Sequence, residues 1–159
     1  MIYKLSTKCY SRLSPRRRQE LDLALRDLNH DSQDQSCTLK VYPCRNGGVQ
    51  LVVSTAGGEP DIAELTFEAL EPHLNAYGDI IGRMVKSTTG DGARSLETLD
   101  YAKRLIHDEA GELVQEALDE LTELPLPEAR RLFTLIYLVE SQAAEDVVAG
   151  HRIHLSFSR

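Results

Sequence analysis

The stretch CTLKVYPCRNGGVQLVV, residues 37–53, decides the fold class. Apolar and polar side chains alternate on both sides of its centre, which is the pattern of a strand with one buried face. The side chains predicted to face inward are Cys37, Leu39, Val41, Val49, Leu51 and Val53. The centre carries Asn46, Gly47 and Gly48, which tolerate the positive φ angles of a tight turn. The stretch therefore predicts a β-hairpin.

Three further runs show the same alternation of apolar and polar residues. Residues 2–6 predict a short N-terminal strand. A run that carries Ala63, Leu65 and Phe67 inward extends the hairpin into a three-stranded meander. Residues 153–157 predict a last strand, which joins the edge of the sheet or pairs with a partner.

Apolar residues at helical spacing mark two helices in the first half of the chain. Ser14 as N-cap and Pro15 as the first helical residue open a helix that ends near Asn29. Pro72 fits the first turn of a second helix, which runs until Ser87.

Two glycines, Gly78 and Gly82, share one face of this second helix. A glycine inside a helix costs about 1 kcal/mol relative to alanine. Two of them on one face suggest a close backbone approach there.

Two more helices follow in the second half of the chain. Ser95 is the predicted cap of a long helix, and Pro127 opens the last one. Its segment Leu132–Val139 is apolar nearly all round, so this helix is either central in the core or partly covered by another subunit. The predicted apolar stripe of the long helix is Leu99, Ala102, Ile106, Leu113, Ala117 and Leu121.

Together these elements predict an α+β fold, in which three to four helices pack on one face of a small antiparallel sheet, a hairpin or meander. The chain has no internal repeat, low-complexity tract or linker. Its length of 159 residues suits one domain. We therefore predict a single α+β domain over residues 1–159.

Composition restricts the partners and the cellular compartment. The formal net charge of −7 disfavours a bare nucleic-acid or anionic membrane surface. No apolar stretch approaches the roughly 20 residues that a membrane span needs, and the N-terminus lacks a signal-peptide core. Cys9, Cys37 and Cys44 form an odd set without CxxC spacing, which favours reduced thiols. We expect a cytoplasmic protein without membrane attachment.

Motifs for metal, cofactor or nucleophilic chemistry are missing from the sequence. The residues three and four positions from His107 are not usual metal ligands, and His151 and His154 would point to opposite faces of a strand. No Gly-x-Ser-x-Gly elbow or phosphate-binding loop occurs. We therefore predict no metal and no cofactor, and the sequence favours a non-enzymatic role while leaving an enzymatic one open.

One helix face gathers polar residues of both charges. Asp100, Arg104 and His107 lie at i, i+4 and i+7, and Glu109 follows closely in sequence. Asp100 can pair with Arg104, and His107 could then hydrogen-bond or titrate near neutral pH. The alternative interpretation is a surface ion pair beside a half-buried histidine.

A basic cluster, Arg16, Arg17 and Arg18, lies at the start of the first helix. Cations are disfavoured there by the helix dipole, so their position invites a functional explanation. The cluster is either a solvated surface run or a contact site for an acidic partner or nucleic-acid phosphates.

Two segments resemble the signatures of a known family. They are DYAKRLIHDE, Asp100–Glu109, and ARRLFTLI, Ala129–Ile136, and they resemble a bacterial group known as uncharacterised protein family two-six-two. The similarity runs from about Ser14 to Val139. The matching positions are Asp100, Arg104, His107, Glu109, Arg130, Arg131 and Phe133.

The resemblance implies a small, one-domain cytoplasmic protein of a family without an assigned activity. Asp108 and Ala110 depart from the pattern, in which an Asn and a Gly are expected. Residues 140–159 run past the usual end of the family and are predicted to be a C-terminal extension.

Three functions remain open at this point. The first is a non-enzymatic regulatory or assembly module that acts through protein contacts, most simply as a homodimer. It rests on the missing site motifs, on the apolar segment Leu132–Val139 and on the predicted terminal strand. The second is a small enzyme or anion-binding protein that uses an Arg/His/Glu cluster. Its candidate ligand-binding residues are Arg104, His107, Glu109, Arg130 and Arg131.

The third function is association with RNA or a ribonucleoprotein through Arg16, Arg17 and Arg18. One structural observation separates the first two functions. If His107 and Arg130 lie on opposite faces, the anion-binding function is excluded. If the histidine and the arginines surround a shared cavity, ligand binding or catalysis becomes the leading hypothesis.

Overall fold

A computed structural model of the chain describes residues 1–30, 32, 35–88, 93–141 and 150–152. The backbone, but not the side chains, is described at residues 93 and 94. The strands are β1 (Ile2–Leu5), β2 (Cys37–Pro43), β3 (Gly48–Thr55) and β4 (Asp61–Thr66). The helices are α1 (Pro15–His30), α2 (Phe67–Ser87), α3 (Ala93–Leu118) and α4 (Leu126–Glu140), with short 3-10 helices at Thr7–Cys9 and Gly150–Arg152.

The predicted α+β class is confirmed. The four strands form one sheet in the order β1-β2-β3-β4, and the predicted meander is its antiparallel part, β2 to β4. The sheet is mixed, because β1 pairs in parallel with β2, with Tyr3 opposite Leu39. A parallel neighbour needs a crossover connection, and α1 supplies it.

One face of the sheet is buried. Its strands place alternate apolar side chains on that face, as the period-two pattern requires. In the register, Val41 lies opposite Leu51, and Leu51 lies opposite Ala63. Glycines hold the β2–β3 turn, since Gly47 and Gly48 have φ angles of 81° and 80°. The buried face consists of Tyr3, Leu39, Val41, Val49, Leu51, Val53, Ala63 and Leu65.

Helix α4 is central in the core. It packs against both α1 and α3, and from Leu132 to Leu138 only Thr134 is not fully buried. Tyr77 of α2 meets the rings of Phe133 and Tyr137 edge-on, with centroids 5.6 Å and 4.9 Å apart. The apolar character of α4 is therefore explained within the chain, without a second subunit.

Two helices begin earlier than predicted. The side chain of Thr66 caps α2 by accepting a hydrogen bond from the backbone N–H of Ala69, so β4 and α2 are contiguous and Phe67 opens the helix. Pro72 therefore lies in the second turn of α2. In α3, which begins at Ala93, Ser95 is a helical residue and not the cap.

The close backbone approach suggested at Gly78 is a side-chain contact. A Cβ at Gly78 would meet the Tyr137 hydroxyl oxygen at 3.6 Å, which is ordinary van der Waals distance. The tight approach lies at Gly111, where a Cβ would come within 2.9 Å of Leu126 and 3.0 Å of Arg130 side-chain atoms. Gly111 thus lets α3 and α4 pack closely.

Polar contacts join distant parts of the chain. Glu140, at the end of α4, accepts a hydrogen bond from the backbone N–H of Gly48 at 3.1 Å. The Asn29 side chain bonds both the N–H and the C=O of Tyr3, at 2.8 and 2.9 Å. The Tyr3 hydroxyl donates to Glu128. These contacts fix α1 and α4 against the sheet.

Two further sequence predictions concern membrane spans and the C-terminal strand. None of the helices in the described ranges has the length and apolar character that crossing a membrane requires. The predicted strand at residues 153–157 lies outside the described residues.

Candidate functional site

A cavity of about 780 Å³ opens among the helices on the side of α4 that carries Arg130. Helix α1 forms one wall with Leu23, Ala24, Asp27 and His30. The other lining residues are Tyr77 on α2, His107 on α3, Pro127, Arg130, Arg131 and Thr134 on α4, and His151 and Arg152 of the C-terminal 3-10 helix. Apolar, aromatic and cationic side chains therefore share one cleft.

His107 is held in place by α4. Its Nε2 lies 2.7 Å from the carbonyl oxygen of Arg130 and 3.0 Å from Oγ1 of Thr134. A carbonyl oxygen only accepts hydrogen bonds, so we assign the proton of the neutral ring to Nε2. The ring packs beside Tyr77 and Phe133, with centroids 5.3 and 6.0 Å away.

Burial determines the charge of this histidine. Desolvation lowers the pKa of His107 from 6.5 to about 4, and the hydrogen bond to Arg130 opposes the shift only in part. The ring is therefore neutral at pH 7. It contributes an aromatic ring to the site, and no positive charge.

Arg130 joins α4 to α3 through an ion pair. Its Nη1 lies 3.1 Å from Oδ1 of Asp108, and the two side chains are 32% and 41% exposed. Such half-exposed pairs are weak because water competes for both partners. The guanidinium has five N–H donors, so the pair with Asp108 does not exhaust its capacity. The neighbouring Arg131 is exposed and lines the same cavity.

His151 and Arg152 form the C-terminal wall of the cavity. A buried lysine anchors this wall. The Nζ of Lys103 donates to the carbonyl oxygen of His151 at 2.5 Å, and Lys103 is only 2% exposed. Desolvation lowers its pKa to about 8, against the opposing attraction of Asp100.

The same wall is tied to α1 by an ion pair with Glu20. Nε of Arg152 lies 2.8 Å from Oε2 of Glu20, and the Nε2 of His151 lies 3.9 Å from the same oxygen. The segment Gly150–Arg152 is thus held between α1 and α3 at the cavity.

Comparison with known proteins adds a family to this geometry. Residues 3–142 match the group described as Uncharacterised protein family (UPF0262). The chain belongs to this family. The family predicted from the two sequence segments is therefore confirmed, and its description assigns no activity.

Curated relatives in the UPF0262 family match shorter segments. A UPF0262 protein of Sphingopyxis alaskensis is 42% identical over 61 residues, 38% of this chain and 35% of the relative. UPF0262 proteins of Erythrobacter litoralis and Ruegeria pomeroyi are each 51% identical over 41 residues, 26% of either chain. The matches thus span about a third or less of these relatives' length. No solved structure matches the chain.

The five predicted ligand-binding residues separate into two groups in the structure. His107, Arg130 and Arg131 line the cavity together. Arg104 instead forms an ion pair with Asp100 at 2.9 Å and does not line the cavity, and Glu109 is exposed outside it. The structure therefore brings three of the five predicted ligand-binding residues to one site.

The N-terminal arginines also differ from one another. Arg17 is buried, and its Nη1 donates to the carbonyl oxygen of Ser141 at 2.5 Å. This contact satisfies the C-terminal end of α4, so Arg17 has a structural role. Arg16 and Arg18 are exposed, and Nε of Arg18 donates to the carbonyl oxygen of Leu13.

Sequence reasoning missed Lys103 and the C-terminal wall. Within the described residues, the buried positions of α3 begin with Leu99, Asp100 and Lys103 and continue with Ala110, so a lysine occupies a position of the core stripe. A lysine one turn from Leu99 was the available signal, because buried lysines need a partner. The partner, the carbonyl oxygen of His151, lies too far along the chain to be found by local spacing.

Proposed function

We propose that this protein binds a small anionic molecule in the cavity between α1, α3 and α4. One observation carries the proposal: Arg130, Arg131 and Arg152 line one cleft in a chain of net charge −7. Guanidinium groups bind carboxylate and phosphate through paired, charge-assisted hydrogen bonds. Their presence at one cleft places several guanidinium donors within reach of a single small ligand.

The cavity walls support binding more than turnover. His107 is neutral, and its Nε2 proton points to the Arg130 carbonyl oxygen. The other ring nitrogen, Nδ1, is a weak base, because burial lowers the pKa of the ring to about 4. Two lining residues beside His107 carry hydroxyl groups, Thr134 and Tyr77. Thr134 donates to the Arg130 carbonyl oxygen at 3.2 Å, and burial raises the pKa of the Tyr77 hydroxyl, so neither is an activated nucleophile. The proposed role is accordingly that of a binding protein located, as the sequence predicts, in the cytoplasm.

Titration calorimetry with phosphate, citrate and phenylacetate tests the proposal. At least one of these anions should bind, and Arg130→Ala combined with Arg131→Ala should weaken it by about tenfold or more, since a hydrogen bond to a charged group contributes roughly 1.5 to 3 kcal/mol. Arg104→Ala is the matched control, because Arg104 belongs to the same family signature but lies outside the cavity. Equal effects of the two changes, or no binding of any anion, would refute the proposal.

A second candidate function is the regulatory or assembly role through protein contacts, with a homodimer as its simplest form. It no longer rests on α4, whose apolar residues are covered within the chain. It is favoured by Tyr101 and Leu105, which lie one turn apart on α3 and are 66% and 48% exposed. Exposed aromatic and aliphatic side chains of this kind are frequent anchors of protein interfaces.

Light scattering at micromolar concentration tests self-association. The unmodified protein should have the mass of a dimer, and Tyr101→Ser with Leu105→Ser should convert it to a monomer without loss of folding. A strict monomer before mutation would remove the homodimer.

A further inference from the structure

We infer that the ligand of the cavity is an amphipathic monoanion: an organic molecule with one carboxylate or equivalent group and an apolar or aromatic body. This inference rests on the proposed anion-binding function and narrows it to a ligand class. It depends on the size of the cavity, on its apolar walls and on its charge balance.

The cavity is much larger than an inorganic ion. Its volume of about 780 Å³ lies in the range of pockets that enclose whole organic molecules, roughly 300 to 1,000 Å³. Phosphate or sulfate would contact the guanidinium groups and leave most of this space to water. A molecule with a body beyond its charged group fills the cleft.

Part of the cavity wall is apolar. Helix α1 contributes Leu23 and Ala24, and α4 contributes Pro127 one turn before Arg131. A ligand gains from covering these side chains only if it carries apolar surface of its own. The positions of Pro127 and Arg131 place the charged end and the apolar body of such a ligand side by side along α4.

The balance of cationic and anionic side chains at the cavity favours a ligand of low charge. Arg130 is paired with Asp108 and Arg152 with Glu20, and Asp27 lines the cavity as well. His107 adds no positive charge, because burial lowers its pKa far below neutrality. Three guanidinium groups are therefore accompanied by three carboxylates. A polyphosphate or tricarboxylate would meet this negative charge, whereas a single carboxylate requires only one guanidinium fork.

Ranking four probes by calorimetry at one ionic strength tests the inference. Phenylacetate should bind at least tenfold more tightly than inorganic phosphate or citrate, and benzyl alcohol, which has a ring without a charge, should bind at least tenfold more weakly than phenylacetate. If phosphate or citrate binds as tightly as phenylacetate, the ligand class is wrong and the anion-binding function survives. If benzyl alcohol equals phenylacetate, the charge is irrelevant and both proposals fail, as they do if no probe binds.

Leu23→Asn examines the apolar wall separately. Leu23 is partly exposed, so the substitution should leave the protein folded, which circular dichroism verifies. Phenylacetate affinity should fall at least fivefold while phosphate affinity stays unchanged. Ile62→Asn is the matched control, since Ile62 is 58% exposed on β4 and does not line the cavity. An unchanged phenylacetate affinity in Leu23→Asn would overturn the inference.

Discussion

The Nζ of Lys103 donates a hydrogen bond to the carbonyl oxygen of His151 at 2.5 Å, across 48 positions of sequence. This contact lies in an environment that excludes water almost completely, since Lys103 is 2% exposed. A buried ammonium is tolerated only where partners replace its hydration. The negative charge of Asp100 and the carbonyl oxygen of His151 stabilise the Lys103 ammonium in place of water. The hydrogen bond to His151 therefore couples the position of the C-terminal wall to α3.

The buried lysine makes the free energy of unfolding depend on pH in the alkaline range. Its pKa falls from 10.5 to about 8 on folding, so between these values the unfolded chain binds more protons than the folded one. The free energy of unfolding of the unmodified protein should therefore rise with pH in this interval. Relative to Lys103→Met, the rise between pH 8 and pH 10 should be about 2 kcal/mol.

Urea denaturation of both proteins at several pH values measures this difference. Lys8→Met, at an exposed position, is the control and should track the unmodified protein. A constant difference between the unmodified protein and Lys103→Met across the interval would mean that Lys103 is solvated in solution.

His107 makes the free energy of unfolding rise with pH in the acidic range as well. Its pKa is lowered from 6.5 to about 4 in the folded protein, so the unfolded chain takes up the proton first as pH falls. The contribution is complete above pH 6.5 and is lost progressively between pH 6.5 and pH 4. Relative to His107→Phe, the loss should be about 3 kcal/mol over this range. Denaturation curves at pH 4.5, 5.5 and 7 provide the measurement, and parallel curves for the two proteins would contradict a buried, neutral ring.

Asp108→Asn separates the structural and binding roles of Arg130. The ion pair that it removes is half exposed, so the free energy of unfolding should change by less than about 1 kcal/mol. Because Arg130 then loses its competing carboxylate, the affinity for phenylacetate should rise several-fold in calorimetry. A fall in affinity would show that Asp108 orients Arg130 for the ligand.

Two glycines in neighbouring helices should respond oppositely to alanine. At Gly78 the added methyl group meets Tyr137 at ordinary distance, so Gly78→Ala should stabilise the protein by about 0.5 to 1 kcal/mol through helix propensity. At Gly111 the methyl group would come within 2.9 Å of Leu126, and overpacking costs about 1 to 3 kcal/mol. Gly111→Ala should therefore destabilise. Equal gains at both positions in thermal denaturation would mean that α3 and α4 are more loosely packed.

The parts of the fold that follow from local chemistry could be predicted. Alternation around Gly47 and Gly48 defines the hairpin, because side chains of one sheet face must be apolar and the turn needs positive φ. The start of α2 could not be predicted in the same way. Alternation continues to Phe67 while the Thr66 cap already opens the helix, so two periodicities overlap without a loop. The parallel pairing of β1 depends on where α1 returns the chain, which local spacing does not specify.

Only some residues of the candidate site could be predicted from the sequence. Arg130 and Arg131 stood out as an adjacent pair, and His107 stood out by its helical spacing from Asp100 and Arg104. Helical spacing could not show that Arg104 lies outside the cavity. Its side chain pairs instead with Asp100, its i,i+4 neighbour on the same helix. The contact of His107 with the Arg130 carbonyl depends on how α3 crosses α4, a tertiary property.

The order of strands in the sheet also bears on the order of assembly. Strands β2, β3 and β4 are neighbours in sequence as well as in space, so their pairing closes short loops at small entropic cost. Strand β1 reaches its partner only after α1 has crossed over. The meander is thus the natural early unit, and amide protons of Ile2–Leu5 should exchange with solvent through a local opening that leaves the rest of the sheet protected.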